Sequence, residues 1–192
     1  AMVRVGQTVI GVGNRAFMAT WSVAGGRFRN APFEDRLGSR KLRMSGEVFT
    51  ITLDGGKTLP ASAMKLTGPP RVEVFQGEPN GRRPADRIPG KRLVVDLVSP
   101  DGSMSASWKA VVRDGTTYVR QELLIEARNG NLGISRVDLV EAEIQEARLA
   151  GTAPGSPIVS GDAFIGIEHP LSKCVVDGLV ARCGIEQGVQ AG

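Results

Sequence analysis

The sequence contains few of the residues from which metal sites and catalytic triads are built. Its 192 residues include one histidine, His169, and two cysteines, Cys174 and Cys183. Because a structural zinc site takes four such ligands, we do not expect one here. There is no Gly-x-Ser-x-Gly motif and no phosphate-binding glycine loop, and Gly11-Val-Gly13 lacks the third glycine of a dinucleotide fingerprint. The sequence therefore predicts neither a metal nor a cofactor.

Long apolar runs and aromatic residues are also scarce. No segment approaches the roughly 18 apolar residues of a membrane helix, and the N-terminus shows no signal-peptide pattern. The net charge is +4, but only two Trp, one Tyr and six Phe are available for base stacking. No nucleic-acid motif accompanies the basic residues. We therefore expect neither a membrane nor nucleic acid as a partner.

Turn signals between alternating apolar runs are plentiful. Five Asp-Gly or Asn-Gly pairs, which suit the positive φ of tight hairpin turns, lie at positions 54–55, 101–102, 114–115, 129–130 and 177–178. In 105–113, Ala106, Trp108, Ala110 and Val112 fall on one face. Such alternation is typical of antiparallel strands with one buried face. We predict an all-β chain, with residues 1–192 forming one large antiparallel β-sandwich.

The predicted strands follow one another closely. They cover residues 3–12, 16–24, 48–53, 71–76, 91–98, 103–113, 116–127, 132–140, 144–150, 163–167 and 174–183. The four from 91 to 140 are expected to form one meander. Residues 137–150 also have the composition of a helix, but their place within a run of strands favours a strand. The polar, proline-containing segment 77–90 is expected to cross the surface or to contact another domain.

The two cysteines flank a predicted hairpin. A turn at Asp177-Gly178 places Cys174 opposite Ala181, with Cys183 diagonal to it on the same face. This geometry allows a disulfide in a secreted protein, and two small buried thiols are the alternative.

Glu168 and His169 are the first candidates for a site. This acid–imidazole pair follows a short apolar run and precedes Pro170, so it could bind a sugar hydroxyl or exchange a proton. The alternative is that His169 caps a turn and that Glu168 pairs with a nearby arginine. No two carboxylates have the placement of a glycosidase pair, so we assign no catalytic residue.

The polar face of residues 117–127 supplies further candidates. Tyr118, Arg120 and Glu122 share one face of the predicted strand, opposite Val119, Gln121 and Leu123, and arginine and carboxylate groups can bind sugar hydroxyls. Trp108 or Trp21 could stack on a sugar ring. A solvated strand face and core tryptophans are the alternative reading.

Three stretches carry a resemblance to a known family: 117–125 (TYVRQELLI), 134–140 (ISRVDLV) and 151–170 (GTAPGSPIVSGDAFIGIEHP). They resemble the N-terminal β-super-sandwich of bacterial glycoside hydrolases such as endo-α-N-acetylgalactosaminidases and α-galactosidase-like enzymes. The resemblance spans about residues 108–183. It implies a galactose-mutarotase-like fold, a carbohydrate ligand, and a catalytic (β/α)₈ barrel in the parent chain as partner.

The same resemblance implies an accessory role. In such enzymes the acid and nucleophile lie in the barrel, so we expect no catalysis by this chain alone, and a secreted or periplasmic location. Aldose epimerases use two histidines and a glutamate, whereas this chain has only His169. A free-standing, lectin-like carbohydrate-binding module and a small epimerase-like enzyme remain the alternatives. A structural or partner-binding β-sandwich is a further one, because a fold does not fix a function.

Overall fold

The computed structural model describes residues 1–153, 155–169 and 171–186. Within these residues, regular structure consists of strands and three single-turn 3₁₀ segments, Ala24–Gly26, Ala61–Ala63 and Pro84–Arg87. The prediction of an all-β chain is confirmed. In the same part of the chain, no helix has the length and apolar character that a membrane crossing requires.

Twenty strands follow one another along the described chain. They are β1 (Met2–Val5), β2 (Val9–Gly13), β3 (Phe17–Ser22), β4 (Arg29–Asn30), β5 (Phe33–Asp35), β6 (Arg40–Leu42), β7 (Met44–Glu47), β8 (Thr50–Leu53), β9 (Thr58–Pro60), β10 (Lys65–Leu66), β11 (Arg71–Phe75), β12 (Gly90–Val98), β13 (Met104–Arg113), β14 (Arg120–Ala127), β15 (Ile134–Ile144), β16 (Arg148–Leu149), β17 (Ile158–Ser160), β18 (Ala163–Ile165), β19 (Ser172–Asp177) and β20 (Val180–Glu186).

The strands form three antiparallel sheets. The largest has twelve strands in the order β1-β2-β3-β4-β7-β15-β20-β19, with β5, β6, β8 and β9 branching from it. The second has five, in the order β10-β12-β13-β14 with β11 also paired to β12. The third is β16-β17-β18. The two larger sheets share a hydrophobic core, as in a β-sandwich; the galactose-mutarotase-like topology stays a prediction.

Alternation along β13 and β14 builds the five-stranded sheet as the sequence predicted. Ala106, Trp108, Ala110 and Val112 are all buried, and Trp108 lies opposite Leu123 of β14. On β14, Leu123 and Ile125 pack against the core, while Arg120 and Glu122 lie on the opposite face with the half-exposed Leu124. This face of the sheet therefore presents charged side chains from a fixed strand.

Three details differ from the sequence-based prediction. The predicted strand 3–12 is a hairpin of β1 and β2, because the chain turns at Gly6, where a Cβ would lie 2.9 Å from the carbonyl oxygen of Val9. The meander ends at β14, and β15 joins the twelve-stranded sheet between β7 and β20. The break predicted between strands 132–140 and 144–150 lies later in the chain: β15 continues to Ile144 and a turn separates it from β16, so 137–150 is strand and turn, as favoured, and not helix.

The first core lies between the two larger sheets and is rich in aromatic rings. Trp108 packs edge-on against Trp21 and Phe28, with ring centroids 4.6 and 4.9 Å apart. Aliphatic residues of β2 and β12, such as Ile10 and Leu93, complete it. Burying such large apolar surfaces is the main term favouring this fold.

The second core is smaller and lies where β15, β19 and β20 meet the three-stranded sheet. Its buried residues are Val140, Ala142, Ile144, Ile158, Cys174, Ala181 and Cys183. Cys174 and Cys183 form a disulfide between β19 and β20, with their Cα atoms 4.1 Å apart.

The register of this hairpin corrects the prediction. Its two loop residues are Gly178 and Leu179, so that Asp177 pairs with Val180 and Cys174 lies directly opposite Cys183. Gly178 has a φ of 58°, and a positive φ at the first loop position is what a type II′ turn requires. The glycine thus occupies the first loop position instead of the second.

Candidate functional site

A cleft of about 180 Å³ lies on the outer face of the five-stranded sheet. It forms where β13 and β14 meet the segment between β11 and β12 and the loop after β18. Its lining residues are Arg83, Ala85, Asp86, Val111, Arg113, Tyr118, Arg120, Glu122 and Glu168. Segments far apart in sequence therefore bring three arginines and three carboxylates together.

Arg113 forms the fixed floor of the cleft. Its guanidinium donates hydrogen bonds to the backbone oxygens of Ile88 (2.7 Å) and Asp86 (3.3 Å). It also lies over the ring of Phe75, 5.0 Å from the centroid, where cation–π attraction adds to its anchoring. With its donors directed into the segment 77–90, Arg113 holds that segment against β13.

Asp86 connects this floor to the rim. The 3₁₀ segment Pro84–Arg87 directs it back to Arg83, which donates to both of its oxygens at 3.0 and 2.9 Å. Arg113 approaches the same carboxylate at 3.3 Å. Hydrogen bonds from Arg83 lower the pKa of the Asp86 carboxyl, because they favour the charged form. Asp86 is therefore a fixed anion between two arginines.

Glu168 crosses the cleft from the other side. Its Oε2 accepts a hydrogen bond from Arg83 at 3.0 Å and lies 3.1 Å from a guanidinium nitrogen of Arg120. The Glu168 side chain is 60% exposed, and ion pairs this exposed contribute little to stability. Glu168 thus closes a chain of alternating charges without being firmly held.

The strand β14 supplies the remaining wall. Arg120 and Glu122 lie two positions apart and so share a face, with a guanidinium nitrogen 3.8 Å from a carboxylate oxygen. Tyr118 precedes the strand and is about half exposed. The predicted grouping of Tyr118, Arg120 and Glu122 is therefore observed, and Glu168 joins it.

His169 lies outside the lining of the cleft. Its Nδ1 accepts a hydrogen bond from the backbone N–H of Leu171 at 3.1 Å, and its carbonyl accepts one from Ser172 at 3.1 Å. These are the contacts of a turn-forming histidine, the alternative that the sequence left open. Its role in ligand binding stays a prediction.

The prediction that Trp108 could stack on a sugar ring is wrong, because the residue is buried. It is only 1% exposed, and its Nε1 donates to Oε1 of Gln121 at 3.1 Å. Trp21, the other candidate, is also buried, at 3% exposed. Both rings fill the first core because they lie on the inward faces of their strands, so neither presents a face to a ligand.

Sequence reasoning did not identify Arg83, Asp86 or Arg113 as site residues. A signal was present for Arg83 and Asp86, because they belong to the long polar segment 77–90, and loops of that length often carry function; Arg113 lies at the end of β13. Their pairing with β14 and with Glu168 depends on tertiary folding, which no local pattern reveals.

A second, more open groove of about 300 Å³ lies between β14 and the pair β15–β20. It is lined mainly by apolar residues, among them Leu123, Ile125, Val137, Leu139 and Ile185. Among the described residues, no cluster of three or more His, Cys, Asp or Glu side chains is placed to hold a metal ion. The charged cleft is therefore the stronger candidate for a polar ligand.

Comparisons of the chain with protein families, with curated proteins and with solved structures find no match.

Proposed function

We propose that this chain is the carbohydrate-associated β-sandwich domain of a glycoside hydrolase, which packs on a catalytic barrel and contributes its charged cleft to sugar binding. The observation that supports this proposal is the alternation of guanidinium and carboxylate groups around the cleft. A sugar hydroxyl is both donor and acceptor, so neighbouring arginine donors and carboxylate acceptors match a pair of hydroxyls.

The size and rim of the cleft support the same ligand class. A volume of about 180 Å³ corresponds to about six water molecules, which suits one sugar unit better than a long chain. The half-exposed ring of Tyr118 adds an apolar surface with a polar tip. The ligand that fits is therefore small, rich in hydroxyls and bound near the surface.

Exposed apolar residues at β11, on the edge of the five-stranded sheet, support the proposal that this chain packs on a catalytic barrel. Val72 of β11 pairs with the core residue Leu93, yet Val72 and Val74 are 44% and 69% exposed. The two valines share a face of β11 that is left largely uncovered. Apolar side chains left open at a sheet edge suit a protein partner, and here that partner is the barrel.

Calorimetric titration with galactose- and N-acetylgalactosamine-containing saccharides tests the sugar site. We expect a Kd of about 1 mM for the isolated chain, or about −4 kcal/mol, and at least tenfold weaker binding for Arg120→Gln and Glu122→Gln. Arg128→Gln, at the end of β14 and outside the cleft, is the matched control. Absence of binding at a sugar concentration of ten times that Kd would overturn sugar binding by this chain.

Two further observations separate the alternatives. An epimerase-like enzyme requires sugar anomerisation that His169→Ala abolishes; unchanged anomerisation removes that alternative. The proposal that this chain packs on a catalytic barrel is tested by sequencing the parent gene beyond residue 192, which should reveal a (β/α)₈ barrel. A stop codon there would contradict packing on a barrel and favour a free-standing module.

A further inference from the structure

Two guanidinium groups from separate segments converge on one carboxylate oxygen in the cleft. Arg83 precedes the 3₁₀ segment Pro84–Arg87, and Arg120 is the first residue of β14. Their nitrogen atoms lie 3.0 and 3.1 Å from the same atom, Oε2 of Glu168. Two arginines directed at one point form a site for an anion, because guanidinium groups match the geometry of carboxylates.

The two arginines are positioned without the help of Glu168. Asp86 accepts two hydrogen bonds from Arg83, one from Nε and one from a terminal nitrogen, which leaves the other terminal nitrogen directed at Glu168. The backbone of Arg120 is held by its pairing with Val111 of β13, and its guanidinium also lies 3.8 Å from the carboxylate of Glu122. Their donors would therefore still meet at this point if Glu168 moved away.

Glu168, in contrast, is held loosely. It lies between β18 and β19, on a loop outside both strands. Its side chain is 60% exposed, against 32% for Arg120. A carboxylate held by exposed contacts can exchange with a second carboxylate at small cost, because the charge between the arginines stays the same.

We propose that the cleft binds an acidic saccharide, whose carboxylate replaces that of Glu168 between Arg83 and Arg120. This inference rests on the proposed function and specifies its ligand class. In the free protein Glu168 occupies the place of the ligand's acidic group, and it swings toward solvent when the saccharide binds. The sugar hydroxyls then face Glu122 and the ring of Tyr118.

Titration with D-galacturonate, its neutral methyl ester and D-galactose tests this exchange. We expect the wild-type chain to bind galacturonate about tenfold more tightly than the two neutral sugars. Glu168→Gln removes the internal competitor and keeps the side-chain size, so the preference for galacturonate over galactose should rise by about a further tenfold. Added salt should reduce the preference, since the difference is electrostatic.

Matched variants separate the possible outcomes. Glu126→Gln, on the same sheet face but outside the cleft, should leave the preference unchanged, and Arg120→Gln should abolish it. If all three sugars bind equally and Arg120→Gln still weakens them, the acidic ligand is wrong while the proposed function stands. An unchanged or smaller preference in Glu168→Gln overturns the exchange, and no binding of any sugar overturns both proposals.

Discussion

The two hydrophobic cores of this protein are filled by different kinds of side chain. The first contains Trp21, Trp108 and three buried phenylalanines, between sheets of twelve and five strands. The buried residues of the second are aliphatic residues and the two cysteines, covered by a sheet of three short strands. Burial of apolar surface stabilises the first core. The second core buries less apolar surface and is stabilised in addition by a disulfide.

One strand connects the two cores. Residues 134–138 of β15 pair with β8, near the first core, while Glu141–Ile144 pairs with β7 and carries residues of the second core. The charged cleft joins the same two regions at the surface, because Glu168 comes from the loop after β18, while its partners come from β14 and from the segment between β11 and β12. The candidate site is therefore shared between a strongly packed region and a weakly packed one.

Removing the central ring of the first core should have the largest effect. Trp108→Ala leaves a cavity between Trp21 and Phe28, and large-to-small changes of buried aromatics cost about 3–5 kcal/mol. Urea denaturation measures the loss of unfolding free energy. Phe164→Ala, at a ring that is 70% exposed, is the control and should change it by less than about 0.5 kcal/mol. A loss below about 1 kcal/mol for Trp108→Ala would contradict the central role of this ring.

Breaking the disulfide should have the next largest effect, and it should act on the second core. The cross-link closes a hairpin with a sequence separation of 9, and chain-entropy arguments give about 3 kcal/mol for a loop of this size. In Cys174→Ala/Cys183→Ala we expect limited proteolysis to cut the β16–β20 region first.

Tryptophan fluorescence distinguishes local from global loss in that double variant. Both tryptophans lie in the first core, so their emission should stay native while the second region is cut. Cleavage in the first core at the same rate would show that the two cores unfold as one unit.

The sequence predicted most of the first region. Alternation in 105–113 identified the buried face of β13, and every residue of that face lies in the core. Short-range patterns fail where a strand changes its partner: β15 alternates as a strand should, but its pairing with β7, β8 and β20 depends on distant segments. The register of the β19–β20 hairpin was also predicted wrongly, because Gly178 tolerates positive φ at either loop position.

The site was predicted in part for the same reason. Arg120 and Glu122 were identifiable because strand periodicity places them on one polar face. Glu168 was identifiable because it directly precedes His169 and Pro170. Its contacts with Arg83 and Arg120 were not predicted. Trp108 was a misleading ligand candidate, because the alternation in 105–113 had already placed it on the face that is buried.

Acid should weaken the protein through the carboxylates of both regions, and this effect should be the smallest. Hydrogen bonds from Arg83 lower the pKa of Asp86, and one from Lys173 lowers that of Glu186 in the second region. Each carboxyl then holds fewer protons folded than unfolded. Its stabilisation is therefore complete above the ordinary carboxyl pKa of about 4 and is lost as the pH falls through the lowered value.

Asp86→Asn and Glu186→Gln should lower Tm at pH 7, with the gap to wild type narrowing toward pH 3. Asp162→Asn, in the exposed turn between β17 and β18, controls for the loss of one negative charge. Thermal unfolding followed by tryptophan fluorescence distinguishes the two regions, because both tryptophans lie in the first core. If Glu186→Gln shifts that transition as much as Asp86→Asn, the two regions unfold together as one cooperative structure. A gap that stays constant with pH in both variants would show that the ionisation of these carboxylates adds nothing to folding.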